Sequence, residues 1–183
     1  MKKHSDIDLV RLINKGGRKA DKAFTELYYR YEGMLFRFCY FMLNDRDAAE
    51  DVFQETFLRF VRKVDAEIKN SNVKAFLFTI ARNLCINYNK RQIFDVDYEI
   101  TENTADTQNN DYENKELYDM LMTALDLLES KYKNAFILRE IEGLSYKDIG
   151  EALEISWSGA QSRVTRAKEK LLKILDPYIK DLQ

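Results

Sequence analysis

Few residues in this chain could support covalent or metal chemistry. His4 is the only histidine, and Cys39 and Cys85 lie far apart within apolar patterns, with no CxxC pair. Neither a His/Cys metal cluster nor a His-dependent triad can be assembled from that set. Gly16-Gly17 stand alone between helical segments and mark a turn, not a loop that cradles phosphate. No catalytic residue, metal ligand or cofactor is therefore expected, and both thiols are expected to be buried and reduced.

Recognition chemistry remains, and it concentrates in the stretch GLSYKDIGEALEISWSGAQSRVTRAKEKLLK. Ser145 can accept a hydrogen bond from the first turn of a helix, and Asp148 three residues on completes a capping box. A short helix, Tyr146–Leu153, would bury Ile149, Ala152 and Leu153. A turn at Glu154–Ser156 follows, and Ser156 can cap a second helix. Gly150 falls where two helices of such a unit approach closely, Ile155 plugs the turn, and Ala160 and Val164 point back to the core. The second helix presents Ser158, Gln161, Ser162, Thr165 and Arg166 outward, with Arg163, Lys168, Lys170 and Lys173 beside them. Residues 157–173 carry five basic groups against one acid. Polar side chains at the start of such a helix can reach base edges in the major groove, while basic ones hold phosphates without reading sequence. An amphipathic surface helix with ordinary lysines is the plainer alternative.

The elements that must position this surface follow from composition. Hydrophobic residues make up 45% of 183 and charged residues 33%, a balance suited to a globular chain. Six glycines and one proline, Pro177, are too few for the turns of a sandwich or barrel, so an all-α fold is expected. Leu117, Met120, Leu121, Ala124, Leu125 and Leu128 form one apolar helical stripe, and Phe136, Ile137, Ile141 and Leu144 another. Nearer the N-terminus, Phe24, Leu27, Tyr28, Tyr31, Leu35, Phe38 and Met42 mark a long helix. Val52, Phe53, Phe57, Phe60, Val61 and Val64 mark the next. A third runs from about Lys74 to Arg91, with Phe76, Leu77, Ile80, Leu84 and Tyr88 on its apolar face.

The net charge of −2 is unevenly spread. Residues 1–91 hold 18 Lys+Arg against 12 Asp+Glu, residues 92–116 hold one against eight, and residues 117–183 hold 10 against 11. The middle stretch, QIFDVDYEITENTADTQNNDYENKE, lacks helical periodicity and apolar content, which predicts a flexible acidic linker. A long surface loop within one domain is the alternative, though such loops are uncommon in compact domains. The expected architecture is two helical domains, 1–93 and 117–183, joined by a linker at 94–116. No apolar run approaches the roughly 20 residues that span a bilayer. The two lysines of MKKHSDIDLV have no apolar core behind them, so neither membrane insertion nor a secretory leader is expected.

AFTELYYRYEGMLFRFCYFML, DRDAAEDVFQETFLRFVRKV and VKAFLFTIARNLCINYNKRQ resemble region two of extracytoplasmic-function sigma factors. YKNAFILREIEGLSYKDIGEALEIS and SRVTRAKEKL resemble region four of the same family, in the same order and with a linker between. The resemblance covers nearly the whole chain. It implies a cytoplasmic, non-enzymatic transcription initiation factor that is monomeric when free. Its partners would be core RNA polymerase, promoter DNA and an anti-sigma factor. Asp51, Gln54, Glu55 and Phe57 would meet the clamp helices, although Phe53 and Phe57 suit a core equally well. Arg82, Lys90 and Arg91 would hold phosphates of the minus-ten element, and Asn83 and Asn87 its bases. The loop around Asp65–Val73, with Asn70, Ser71 and Asn72, would help capture a flipped base. Region four would dock on the polymerase flap and read the minus-thirty-five element as duplex. Ser158, Gln161, Ser162, Arg163, Thr165, Arg166, Lys168 and Lys170 would make those contacts.

The chain departs from the family pattern at several places. Phe76 stands for the usual Trp, Asn87 for a frequent Asp, Ala160 for a branched apolar residue and Trp157 for a polar one. Glu154 stands for a Gly in the turn, at a position that can require positive φ. A free-standing helix-turn-helix regulator would account for the C-terminal stretch but gives AEDVFQETF and the acidic segment no purpose. A helical adaptor without nucleic-acid contact is the remaining rival.

Overall fold

The computed structural model describes residues 4–67, 72–95 and 112–181, with no strand among them. Helices α1 (Asp6–Lys15), α2 (Arg18–Leu43), α3 (Arg46–Glu67) and α4 (Val73–Asp95) form the N-terminal bundle. Next come α5 (Tyr112–Asp126) and α6 (Ser130–Phe136), which runs into a π-helical turn, Ile137–Ile141. The chain then folds into α7 (Tyr146–Leu153) and α8 (Trp157–Asp181). Most of the segment expected as a linker, residues 96–111, lies outside the described residues. Its edges are helical: α4 runs on to Asp95 and α5 begins at Tyr112.

Local chemistry sets the helix ends. Ser5 Oγ accepts from the Asp8 amide at 3.2 Å and opens α1, and Gly16 and Gly17, both at positive φ, turn the chain into α2. Asn44 closes α2 at φ 52°, a conformation that Asn tolerates better than most side chains. Asp45 and Asn72 then accept from the Ala48 and Ala75 amides, at 3.0 and 3.2 Å, and start α3 and α4. The Tyr31 hydroxyl and the Arg30 guanidinium both donate to Asp6, which ties α1 across α2.

Within the bundle, Phe38 and Phe78 meet edge to face at 5.3 Å, and Leu27, Leu35, Phe60, Leu77 and Cys85 are fully buried around them. The same apolar core continues into Ala135, Ile137, Leu138, Leu144, Ile149, Ala152, Ala160 and Val164. Helix α7 lies directly on α4, and the π-helical turn lies on α2. One apolar cluster thus runs through both helical units. A second, smaller cluster joins Leu125, Leu128 and Tyr132 to Ala167 and Leu171. Of the stripe expected here, Ala124 and Leu125 on α5 and Leu128 just beyond it are buried, whereas Leu117 is exposed and Met122, outside that stripe, is buried.

The helix-turn-helix forms as its sequence predicts. Ser145 Oγ accepts from the Asp148 amide at 3.1 Å, and Ser156 Oγ from the Gly159 amide at 3.0 Å. Glu154 sits in the left-handed region at φ 55°. A Cβ on Gly150 would lie 2.9 Å from the Ile155 carbonyl oxygen, so the close approach is to the turn backbone. By contrast, a Cβ on exposed Gly33, midway along α2, meets only the Arg37 guanidinium at 3.5 Å.

Two glycine substitutions should therefore act in opposite directions. Gly150→Ala should destabilise by about 1–3 kcal/mol through overpacking against backbone that cannot give way. Gly33→Ala should stabilise by up to about 1 kcal/mol through helix propensity. Thermal melts followed by far-UV circular dichroism would show both.

Candidate polymerase and nucleic-acid interface

Helix α8 buries Ala160, Val164, Ala167 and Leu171 on one side. Ser158, Gln161, Ser162, Thr165 and Arg166 are exposed on the other, and Arg163 is half-buried at the margin. Lys168 pairs with Glu140 at 2.9 Å, and Lys170 with Glu129 at 3.4 Å while lying over the Tyr132 ring. Exposed pairs of this kind contribute at most about 1 kcal/mol, so either lysine can exchange its carboxylate for a phosphate at little cost. Trp157 opens the helix largely exposed, its ring edge-on to Tyr146 at 5.8 Å, and the Arg139 guanidinium lies 4.5 Å from the Tyr146 centroid.

On α3, Asp51 and Gln54 are exposed, and Glu55 is half-buried and paired with Arg59 at 2.7 Å. Phe57 belongs to the core: it is 3% exposed and packs against Tyr28 at 4.8 Å, Phe53 at 5.4 Å and Phe24 at 6.0 Å. Among the described side chains of α3, the apolar groups presented outward are Leu58 and Val61, 54% and 43% exposed. With Asp51 and Gln54 they follow three- and four-residue spacing and form one stripe. That periodicity was present in the sequence, but the apolar character of Val61 drew it into the core pattern.

On α4, Asn83, Asn87, Lys90 and Arg91 are exposed. Asn70 and Ser71 lie outside the described residues. Arg82 and Asn72 face the helix-turn-helix rather than solvent. The Arg82 side chain is only 14% exposed; Nη1 donates to the Ala152 carbonyl at 3.3 Å and Nη2 to Glu154 Oε2 at 3.1 Å. Its Nε and Nη2 also hold Asn83 Oδ1, at 3.1 and 2.8 Å. Asn72 Nδ2 donates to Asp148 Oδ1, and Thr79 Oγ1 donates to Ala152 O at 3.2 Å.

Further polar links join the two halves. Arg37 donates to both oxygens of Glu142, at 3.2 and 2.9 Å, and the Glu142 side chain is fully buried. The π-helical turn just before Glu142 aims it at α2; π-turns often mark such special positions. Lys133 Nζ donates to Met42 O at 3.2 Å and to Asp126 at 2.6 Å. Asn44 donates to Asp126 at 3.1 Å. Cys39 and Cys85 are free and buried, and the hydrogen bond between them, together with burial, pushes the Cys85 thiol up, away from reactive thiolate. No helix among the described residues is long and apolar enough to cross a membrane.

A helical bundle followed by a helix-turn-helix, with polar and basic faces on α4 and α8, is the outline of a DNA-binding transcription protein. Residues 27–93 match the family model for sigma-70 region 2, and residues 118–171 that for sigma-70 region 4. The ECF RNA polymerase sigma-E factor of Haemophilus influenzae is 30% identical over 96% of this chain and 97% of its own. SigM of Bacillus subtilis is 28% identical over 85% of this chain and 97% of its own. Among solved structures, the sigma factor RpoE in complex with the anti-sigma factor NepR from Bartonella quintana has a TM-score of 0.69 at 30% identity, covering 85% of this chain and 98% of that one. CnrH in complex with the cytosolic domain of CnrY, at 21% identity and a TM-score of 0.74, shares the fold over 94% and 97% of the two chains. The chain belongs to the extracytoplasmic-function sigma factors of the sigma-70 family. As such it directs promoter-specific transcription initiation by RNA polymerase.

Burial raises the Glu142 carboxyl above the ordinary carboxylate range, and Arg37 only partly offsets this. A carboxyl so raised binds its proton more readily folded than unfolded. Its contribution to stability is full below the unfolded value and is lost as pH rises through the folded one. Glu142→Gln removes that titration, so the variant should gain melting temperature relative to the native chain as pH rises from about 4 towards neutrality. A difference that is flat with pH, or that widens towards acid, would refute the assignment.

Proposed function

We propose that α3 docks this sigma factor on the polymerase clamp helices through Asp51, Gln54, Leu58 and Val61, with Glu55 beside them. The observation that carries this is the outward stripe itself, in which two apolar side chains stand exposed on a helix whose other face is pinned by packed aromatic rings. Exposed apolar groups on a rigid support, ringed by polar ones, suit a protein contact. Asn83, Asn87, Lys90 and Arg91 of α4, joined by Arg82 and Asn72, would then engage the minus-ten element. The exposed face of α8 would read the minus-thirty-five duplex through Ser158, Gln161, Ser162 and Thr165. Arg163, Arg166, Lys168 and Lys170 would hold its backbone.

In this arrangement the protein contributes recognition and no catalytic chemistry of its own, and it works in the cytoplasm. The similar chain from B. quintana was solved with an anti-sigma factor, which supports a partner of that class here. The free chain should be monomeric and bind promoter DNA weakly, whereas the holoenzyme should bind strongly and with steep salt dependence.

A pull-down against core polymerase, followed by start-site mapping on genomic fragments, tests the whole scheme. Leu58→Ala with Gln54→Ala should weaken core binding at least tenfold, a loss of about 1.4 kcal/mol or more, as for interface anchors generally. Asn83→Ala should leave core binding intact and slow promoter opening. Phe57→Ala should instead lower thermal stability by about 3–5 kcal/mol, as expected of a core ring. Unchanged core binding with the α3 double variant would refute the docking face.

A further inference from the structure

We infer that Trp157 selects for thymine in the minus-thirty-five duplex, its indole packing on the C5-methyl group that thymine presents in the major groove. The inference rests on the reading that α8 faces that duplex, and it adds a specificity-determining residue to that face. None of the contacts assigned above uses Trp157. Yet it is the only tryptophan of the chain, and it stands 56% exposed at the first position of α8.

Helical register places the ring on the reading face. Side chains four apart on a helix are neighbours, so Trp157, Gln161 and Thr165 form one row, and Ser158, Ser162 and Arg166 form the row beside it. All six are exposed, while Ala160, Val164 and Ala167 turn into the core. Trp157 thus extends the polar face by one apolar group at its N-terminal end, the end of such a helix that meets base edges.

The ring is also braced. Tyr146 meets it edge-on at 5.8 Å and itself packs on the apolar core. Behind Tyr146, the Arg139 guanidinium lies 4.5 Å from the ring centroid, and its Nη1 donates to the Leu144 carbonyl at 2.8 Å. Ser156, just before Trp157, is committed to the Gly159 amide at 3.0 Å, which fixes the backbone that enters α8. An aromatic side chain with two torsions, held in this way beforehand, loses little freedom when DNA arrives.

An indole offers one donor, Nε1–H, and no acceptor, so it cannot match the donor and acceptor patterns that distinguish the other bases. What it offers is apolar area. In the major groove only thymine presents an apolar group, its C5-methyl, and apolar side chains select it by covering that methyl. Removing one such group from water is worth about fourfold in affinity. The same indole laid on the sugar-phosphate backbone would instead use Nε1–H and read no base. Trp157→Phe separates the two cases, because it keeps an apolar ring and drops the donor.

The test uses holoenzyme and a promoter found by the start-site mapping. Each minus-thirty-five thymine, on either strand, is replaced in turn by deoxyuridine, which lacks only the methyl. Native holoenzyme should lose about fourfold in affinity at one position. Trp157→Phe should keep that loss, and Trp157→Ser should abolish it there while leaving the effects at other positions as they were. A loss that persists in Trp157→Ser, or that vanishes in Trp157→Phe, would overturn the proposal. So would an element without thymine, or one insensitive to deoxyuridine throughout. A folded Trp157→Ser chain that no longer binds core polymerase would place the ring in a protein contact and overturn it too. Gln161→Ala with Arg166→Ala tests the underlying reading: if that pair leaves the minus-thirty-five preference intact, α8 does not read the duplex. If the pair erases the preference and the deoxyuridine result fails, only the Trp157 assignment falls.

Discussion

Helix α4 carries buried side chains around most of its circumference: Val73, Ala75, Leu77, Phe78, Ile80, Ala81, Leu84 and Cys85. A helix of that kind cannot leave a long side in water and must be covered on more than one flank. Helices α2 and α3 cover one flank, where Phe78 meets Phe38 and Phe76 meets Phe60. Helix α7 covers another, and the helix-turn-helix is thereby brought onto the bundle. The shared core and the direction in which α8 faces both follow from this covering requirement. So does the withdrawal of Arg82 and Asn72 from solvent.

The polar links across the two halves have a different character from the apolar ones. Removing apolar area from water is favourable wherever it happens and specifies no register. Arg37–Glu142, Asn72–Asp148, Lys133 to the Met42 carbonyl and Arg82–Glu154 each fix one position of one half against the other. Glu142 shows the cost: its carboxylate is buried for the sake of one pair, and burial outweighs the partner in setting its titration. With Arg37 half exposed and only Glu142 buried, such a pair adds little net stability, yet removing Arg37 would leave a buried carboxylate unpaired. The apolar surface therefore supplies most of the attraction, and the polar groups select which face of α7 meets α4.

Much of this was legible in the sequence, and the parts that were not share a cause. Ser145, Asp148 and Ser156 announced the helix-turn-helix because capping is a local matter, settled within four residues. Glu154 stood out through the resemblance, in which a Gly occupies that turn position, and its φ of 55° agrees. Phe57 was ambiguous because a core ring and an interface ring look alike in sequence; only the surrounding rings of Phe24, Tyr28 and Phe53 decide it. Val61 was drawn into the core pattern because apolar residues default to the core in a periodicity argument, yet it is exposed beside Leu58. The π-helical turn at Ile137–Ile141 was invisible, since its apolar spacing also fits an α-helix. The joining of the two halves depends on pairs more than 70 residues apart, Asn72–Asp148 and Arg37–Glu142 among them. No local pattern encodes such pairs.

The same packing explains why a sigma factor with intact DNA-contacting residues should bind DNA poorly alone. Opening the halves uncovers the α7-facing flank of α4, and that apolar surface must find a new cover. Unstacked bases could provide one, since base faces pack on aromatic and apolar side chains. DNA bound on α4 would then compete with the helix-turn-helix for one surface, and only the open fraction of the free chain would bind. If closure is favoured by about 3 kcal/mol, roughly one molecule in a hundred is open, and strand affinity falls by about a hundredfold. A partner that held the two halves apart would remove the competitor without touching those residues. An anti-sigma partner could act in the opposite sense at no chemical cost, by binding the closed form and deepening a preference the chain already has.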